Sequence, residues 1–297
     1  MNAIILSAGL GTRLKPITDV IPKPLLPIVD RPIIEINIQR LTSFGVEKIG
    51  INLFHRADLV KNFLNELPYD LLIAVENKLK GTGGALLNFK SFIKGDLVIH
   101  NCDVISNINL RRAINFHKQY KPVATLIMTK NEGTNFVKVN RKYEIEEFSK
   151  KENKDYYTYT GIAILSERLM PYLPKRNCFS IVEVFQRIIN DGKLIMGLPT
   201  KQPWYDIGTA HTYWQVHHDI LGKKVKFNEV SADSHFYIHH SSIVRTKNLF
   251  GFVSIGPSCS IAEKVRLKNT IIFENSKIIQ GDFENCLLSD KFCIKLK

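Results

Sequence analysis

The sequence predicts an α/β protein in two parts: a mainly parallel sheet with helices on both faces, then a short parallel β-helix. Three observations carry this expectation. Residues 1 to about 220 alternate short apolar runs with helical stretches, the order that builds a parallel sheet covered on both sides. The first apolar run, Ala3-Ile4-Ile5-Leu6, leads straight into a glycine-rich basic loop. In the tail, Ile243, Leu249, Ile255, Ile261, Leu267, Phe273 and Ile279 recur every six residues, a period that belongs neither to a helix nor to a simple strand.

Taken in order, the elements explain themselves locally. Pro32 suits a first helical turn, Ile34, Ile38 and Leu41 share one face, and Gly45 can end that helix. Lys48 to Leu53, Leu71 to Val75, Leu97 to His100 and Val123 to Met128 read as further strands. Gly81-Thr82-Gly83-Gly84 precedes Leu86, Phe89 and Phe92 at helical spacing. With three hexads to a coil, the tail holds two or three coils whose ends are uncapped; Asn285 interrupts the repeat, so the last dozen residues need not belong to it. The expected organisation is an α/β domain over 1–221, a linker over 222–233 and the repeat tail over 234–297.

Composition narrows the function. The 297 residues have an ordinary apolar content of 44% and a formal charge of +13, which fits nucleic acid, an anionic surface or small polyanionic substrates. Lys and Arg are dispersed without a block of like charge, which argues against nucleic acid. No apolar run approaches the ~18 residues of a membrane span, and no basic leader precedes the first strand, so a cytoplasmic protein without membrane partners is expected. Five dispersed cysteines read as reduced thiols. The histidine pairs His217-His218 and His239-His240 lack ligand spacing to a carboxylate and read as surface residues.

The loop Ser7-Ala8-Gly9-Leu10-Gly11-Thr12-Arg13-Leu14-Lys15-Pro16 has the features of a phosphate cradle. Gly9 and Gly11 let backbone N–H groups come close to an anion, and Arg13, Lys15 and Lys23 supply positive charge. A dinucleotide fingerprint would need a small residue where Leu14 stands, and a P-loop would need Gly-Lys-Ser/Thr. Together with Pro22-Lys23-Pro24, the string resembles the nucleotide loop of the sugar-1-phosphate nucleotidyltransferases, and the layout with a short hexapeptide tail is similar to that of mannose-1-phosphate guanylyltransferase-like members. The fold this resemblance implies is a Rossmann-like sheet followed by a left-handed parallel β-helix.

The resemblance also implies residue roles. Leu6, Ala8, Gly9, Gly11, Thr12 and Arg13, with Gly81, Thr82 and Gly83, would line the nucleotide. Arg13 would balance the β- and γ-phosphates of a nucleoside triphosphate, and Lys23 the α-phosphate or sugar phosphate. Attack of a sugar phosphate on the α-phosphorus needs alignment and charge neutralisation, hence Mg²⁺, a hard ion held by one or two carboxylates plus substrate phosphates. Asp103, in His100-Asn101-Cys102-Asp103, and Asp206, in Asp206-Ile207-Gly208-Thr209, match the family's two metal positions. Glu147 and Lys151, and Thr160 with Gly161, match segments that contact the sugar phosphate.

Two departures stand out: Cys102 replaces the usual glycine before the first aspartate, and Lys150 replaces an acid. The expected activity is condensation of a nucleoside triphosphate with a sugar 1-phosphate, with guanylyl transfer to mannose 1-phosphate as the first choice. Uridylyl or thymidylyl transfer to another sugar, and a non-catalytic relative, are the alternatives. Uncapped coils favour a partner, so a homo-oligomer joined through the tail is expected beside a tail serving stability alone.

Overall fold

The computed structural model describes residues 1–130 and 133–296; Lys297, the last residue of the expected tail, lies outside them. Two compact units emerge, one of Met1–Leu10 with Asn37–Asp206, the other of Gly11–Ile36 with Ile207–Lys297. This division differs from the 1–221 and 234–297 expected from sequence, and the reason lies in the second unit.

The first unit contains β1 (Asn2–Leu6), β2 (Ile49–Leu53), β3 (Leu71–Val75), β4 (Leu97–Asn101), β5 (Val104–Ser106), β6 (Ala124–Thr129), β7 (Phe136–Val139), β8 (Ile145–Ser149), β9 (Tyr157–Leu165), β10 (Ile195–Pro199) and β11 (Trp204–Asp206). Nine of these form one sheet in the order β8-β7-β9-β4-β1-β2-β3, with β6 joined to β9 and β10 joined to β6. β1 runs parallel to both β2 and β4, whereas β9 is antiparallel to β4 and β6. Burial on both faces leaves no alternation between inward and outward positions, which is why Ala3–Leu6 of β1 and all of β2 are buried.

The α-helices longer than one turn are α1 (Ile33–Ser43), α2 (Ala57–Asn65), α3 (Leu110–Tyr120), α4 (Ile181–Asn190) and α5 (Ala210–Leu221). Side-chain caps start three of them: Asn109 accepts from Arg112 N, Ser180 from Val182 N, and Thr209 from Thr212 N in a reciprocal capping box. Ile34, Ile38 and Leu41 are fully buried, as their spacing predicts. In the first unit Ile4, Leu6, Phe89, Leu126, Met128 and Phe185 belong to one core. No helix among the described residues is long and apolar enough to cross a membrane.

In the second unit α5 packs on the tail. The Tyr213 ring stacks on Phe273 at 5.7 Å, Trp214 meets Phe252 edge-on at 5.3 Å, and Trp214 Nε1 donates to Asn269 O at 2.8 Å. Tyr213 OH also donates to Pro27 O, and Val29 N to His217 Nε2, so α5 ties segment 11–36 to the tail. Large aromatic faces buried this way explain why the helix groups with the tail despite its sequence position. His217 is correspondingly buried, not a surface residue as its pairing with His218 suggested; His100 and His117 are buried too.

The tail strands pair in parallel with register offsets of a coil: Val253 lies beside Thr270, Ile261 beside Ile278, and Ile271 beside Leu287. The step from Ile261 to Ile278 is 17 residues where three hexads make 18, so the inward position slips by one. Ile279 is therefore 64% exposed while Ile278 is buried; in the first coil Val244, not Ile243, aligns with Ile261, and Ile243 is 60% exposed. Asn285 continues the stack that the sequence reading ended there. It shares positive φ with Gly251 and Asn269, and Asn269 Nδ2 donates to Asn285 Oδ1 at 3.1 Å, one corner above another.

Candidate active site

In the first unit, the C-terminal ends of parallel strands converge where open α/β sheets hold ligands. Leu6 is in register with Asn52 of β2 on one side and Asn101 of β4 on the other. Beyond it, Ser7 is buried with a hydroxyl that has no hydrogen-bond partner among the described residues, Ala8 is half-buried and Gly9 is exposed. A Cβ at Gly9 would meet nothing within 4 Å, so the packing of the chain does not require a glycine there.

Asp103 occupies the turn between β4 and β5. Cys102 N donates to Leu6 O at 3.0 Å and Asn37 Nδ2 donates to Cys102 O at 2.8 Å, which fixes the turn from two directions. Arg40 donates to Ile108 O just past β5. The Cys102 residue is buried, so its thiol is packed as a small hydrophobe. β5 pairs antiparallel with β11, setting Asp206 opposite Val104. The two aspartates therefore occupy neighbouring backbone positions despite a separation of 103 residues. Among the described residues no group of three or more His, Cys, Asp or Glu side chains converges; two carboxylates completed by substrate oxygens is a donor set that suits Mg²⁺.

Beside this turn, β9 carries a bulge between Tyr159 and Ala163. Gly161 has φ +80°, and a Cβ on it would come within 2.5 Å of Asn101 Nδ2, so only glycine fits. The Thr160 hydroxyl donates to Ile127 O and its carbonyl accepts from Trp204 Nε1, both at 2.9 Å. Thr160 thus uses its side chain to hold the bulge. His100, on β4, is buried, and desolvation pushes its imidazole down to about 4, an effect its Nδ1 hydrogen bond to Asn101 O only partly offsets.

The glycines at 81–84 have a packing role of their own. They form one helical turn against residues 177–181, where Cβ atoms on Gly81, Gly83 and Gly84 would fall 2.6, 2.6 and 2.4 Å from Phe179 O, Phe179 Cδ2 and Asn177 O. Gly83 N and Gly84 N donate to Phe179 O, and Thr82 Oγ1 accepts from Ile181 N. Close approach to neighbouring chain is enough by itself to account for the missing side chains.

Glu147 and Lys151 lie on and just after β8, at the far end of β8-β7-β9-β4. Three strand steps of ~4.8 Å put this strand about 14 Å from β4. Both residues are exposed; Glu147 Oε2 accepts from Tyr156 OH at 3.3 Å, and Lys151 N donates to Ser149 Oγ. Glu146 pairs with Lys138 across the strands.

Segment 11–36 of the second unit holds the remaining expected residues. Gly11, at φ +65°, starts a 3₁₀ turn over Thr12–Leu14, with Leu14 N donating to Gly11 O and Thr18 Oγ1 donating to the same carbonyl. A Cβ at Gly11 would lie 2.8 Å from Thr18 Cγ2 and 3.5 Å from Lys23 Cβ, so the Pro-Lys-Pro segment folds back beside the loop. Arg13 is exposed and Lys23 half-buried.

A family model described as nucleotidyl transferase matches residues 2–223, three-quarters of the chain. The chain belongs to this family. Among similar nucleotidyl transferases and relatives, a probable mannose-1-phosphate guanylyltransferase 3 of Oryza sativa subsp. japonica is 30% identical over 94% of this chain and 82% of its own. A UTP–glucose-1-phosphate uridylyltransferase of Synechocystis sp. is 23% identical over 99% and 88%. A solved structure of a putative glucose-1-phosphate thymidylyltransferase from Bacillus anthracis overlays with a TM-score of 0.67 at 24% identity, over 77% of this chain and 97% of that one. HddC from Yersinia pseudotuberculosis gives 0.64 at 21%, over 73% and 98%. These overlays carry the nucleotidyl transferase fold, and the expected enzyme class of sugar-1-phosphate nucleotidyltransferases is the one the chain falls in.

Sequence reasoning missed Asn52, Glu76, Asn37 and Arg40, which brace the site from inside. The signal was present: Asn52 interrupts an otherwise apolar strand, and a buried amide there requires partners.

Proposed function

We propose that this chain condenses a nucleoside triphosphate with a sugar 1-phosphate in a single in-line displacement. A phosphate oxygen of the sugar forms the new bond to the α-phosphorus as the bond to the β-phosphate oxygen breaks, and pyrophosphate leaves with the electron pair. The observation that supports this reading best is the β5–β11 ladder, with Asp206 opposite Val104 and Asp103 next to it. Asp103 and Asp206 would hold Mg²⁺, which when bound supplies charge neutralisation at the reacting phosphates.

The chain's own residues do the rest. The position of Gly9 leaves open space for a phosphate or sugar group, and Gly161 lets the Asn101 side chain pack closely against the bulge at the end of β4. On the strength of their motifs, Arg13 and Lys23 balance the triphosphate charge, Gly11, Thr12, Gly81, Thr82 and Gly83 border the nucleotide, and Lys151 with Glu147 orients the sugar phosphate. Guanylyl transfer to mannose 1-phosphate is the first choice, supported by the layout and by the rice relative; uridylyl and thymidylyl transfer follow. A cytoplasmic location and self-association through the tail belong to the same reading.

A pyrophosphate-release screen with Mg²⁺, crossing GTP, UTP, dTTP, CTP and ATP with hexose, amino-sugar and heptose 1-phosphates, tests it. Release confined to one pair is the expected result and names both substrates. Silence across the panel from folded protein would overturn the reading in favour of a non-catalytic relative.

A further inference from the structure

Behind the loop after β1 lies a polar cluster, buried at Ser7, Asn52 and Glu76 and half-buried at Lys80 and Asn88, that none of the expected roles uses. Glu76, just past β3, is buried and accepts at both carboxylate oxygens: Oε1 from Asn52 Nδ2 at 2.9 Å and from Asn88 Nδ2 at 3.1 Å, Oε2 from Lys80 N at 3.0 Å. Each asparagine then presents its oxygen outward. Asn52 Oδ1 accepts from Ser7 N at 2.9 Å, and Asn88 Oδ1 accepts from Lys80 Nζ. One carboxylate thereby connects Ser7, at the head of the glycine loop, with Lys80, the residue that begins the 81–84 turn.

We infer that Glu76 is a positioning residue that sets the Ser7–Gly9 loop and the Gly81–Gly84 turn in a fixed relation, by dictating the orientation of the Asn52 and Asn88 amides. The physical reason is donor and acceptor arithmetic. Three N–H groups converge on two oxygens, so the group at the centre must be acceptor-only. A glutamine of the same shape offers one acceptor and one NH₂. If its oxygen faces the asparagines, its NH₂ opposes Lys80 N–H. If its oxygen faces Lys80, both asparagines must turn over, and Asn52 then points NH₂ at Ser7 N–H. Every arrangement leaves a donor, buried at Ser7 N or half-buried at Lys80 N, without its acceptor in the protein, and the fault falls on one of the two segments. Both segments belong to the nucleotide half of the proposed site, so the inference rests on that reading for its kinetic consequence and on geometry alone for the coupling.

The test uses the full chain as E76Q and N52A. Amide hydrogen exchange on the protein without substrate reads the coupling directly: wild type is expected to protect Ser7 and Lys80 N–H. E76Q is expected to speed exchange at one or both of these amides, and N52A to speed Ser7 alone, about tenfold, as each loses its acceptor. In pyrophosphate release with the active pair from the screen, both variants are expected to raise KM for the nucleotide about tenfold while KM for the sugar phosphate stays within about twofold. A purely structural role would lower stability without separating the two KM values. Unchanged Ser7 exchange in N52A, or E76Q with wild-type exchange at both amides and wild-type nucleotide KM, would overturn the inference. If E76Q does not fold, N52A, which removes the bonds of Asn52 to both Glu76 and Ser7 and leaves Asn88 and Lys80 on the carboxylate, decides alone. Wild type that releases no pyrophosphate defeats the proposed function, and the exchange readout still decides the coupling.

Discussion

The loop at Ser7–Gly11 and the turn at Gly81–Gly84 share a glycine-rich sequence and differ in what surrounds them. A side chain on Gly9 would project into open space, whereas side chains on Gly81, Gly83 and Gly84 would enter residues 177–181 at 2.6 Å or less. Glycine admits two close approaches, that of a ligand and that of the chain itself, and one sequence signature covers both. Gly9 fits the first. The 81–84 turn is required by the second, whatever else it borders.

Substitutions pull these cases apart. The largest effect is expected at Asp103→Asn, which removes a proposed Mg²⁺ ligand while keeping its shape: turnover should fall at least ~1000-fold, about 4 kcal/mol of barrier, with the urea midpoint unchanged. Turnover like that of wild type would refute the metal assignment. Gly84→Ala should show the reverse pattern, a loss of about 3 kcal/mol of stability in urea unfolding from overpacking against Asn177 O. An unchanged midpoint would mean that the 177–181 segment gives way and that the turn's glycines serve something else.

A pH titration probes packing away from both glycine segments. His217 Nε2 accepts from Val29 N and its Nδ1 donates to Tyr213 O, so the folded chain needs the neutral ring; burial pushes its pKa down to about 4. A depressed pKa means that unfolded chain takes up a proton first. The contribution is complete above pH 6.5 and is lost as pH falls from 6.5 to about 4, on the order of 3 kcal/mol. His217→Gln, which keeps an acceptor for Val29 N without titrating, should flatten that part of the stability curve. The smallest effect is expected at Gly9→Ala: stability within about 0.5 kcal/mol of wild type and nucleotide KM raised about tenfold, or 1.4 kcal/mol. A large drop in stability would erase the contrast between the loop and the turn.

Much of the proposed site could be put forward from sequence because its residues are chemically distinctive and locally patterned. Asp103 follows a strand, and Asp206 stands before Gly-Thr and a helix that Thr209 caps. Their adjacency was not legible, since pairing of β5 with β11 joins positions a hundred residues apart. Asn52 and Glu76 were missed for the same reason: a hydrogen-bond network between three strand ends has no sequence period. In the tail, the six-residue spacing identified the coils, but steps of 17 residues moved the inward positions at both ends, exposing Ile243 and Ile279.

The sequence by itself determined the strand runs, the helix starts, the coil repeat and the glycine-basic loop, because each follows from short-range sterics, capping and burial periodicity. Tertiary structure alone decided that α5 joins the tail through Tyr213 and Trp214, that Cys102 and His217 turn inward, that Gly81–Gly84 yield to Phe179, and that one buried carboxylate links two loops. Those outcomes depend on which distant side chains compete for the same space and the same donors, a competition settled only when the chain closes on itself.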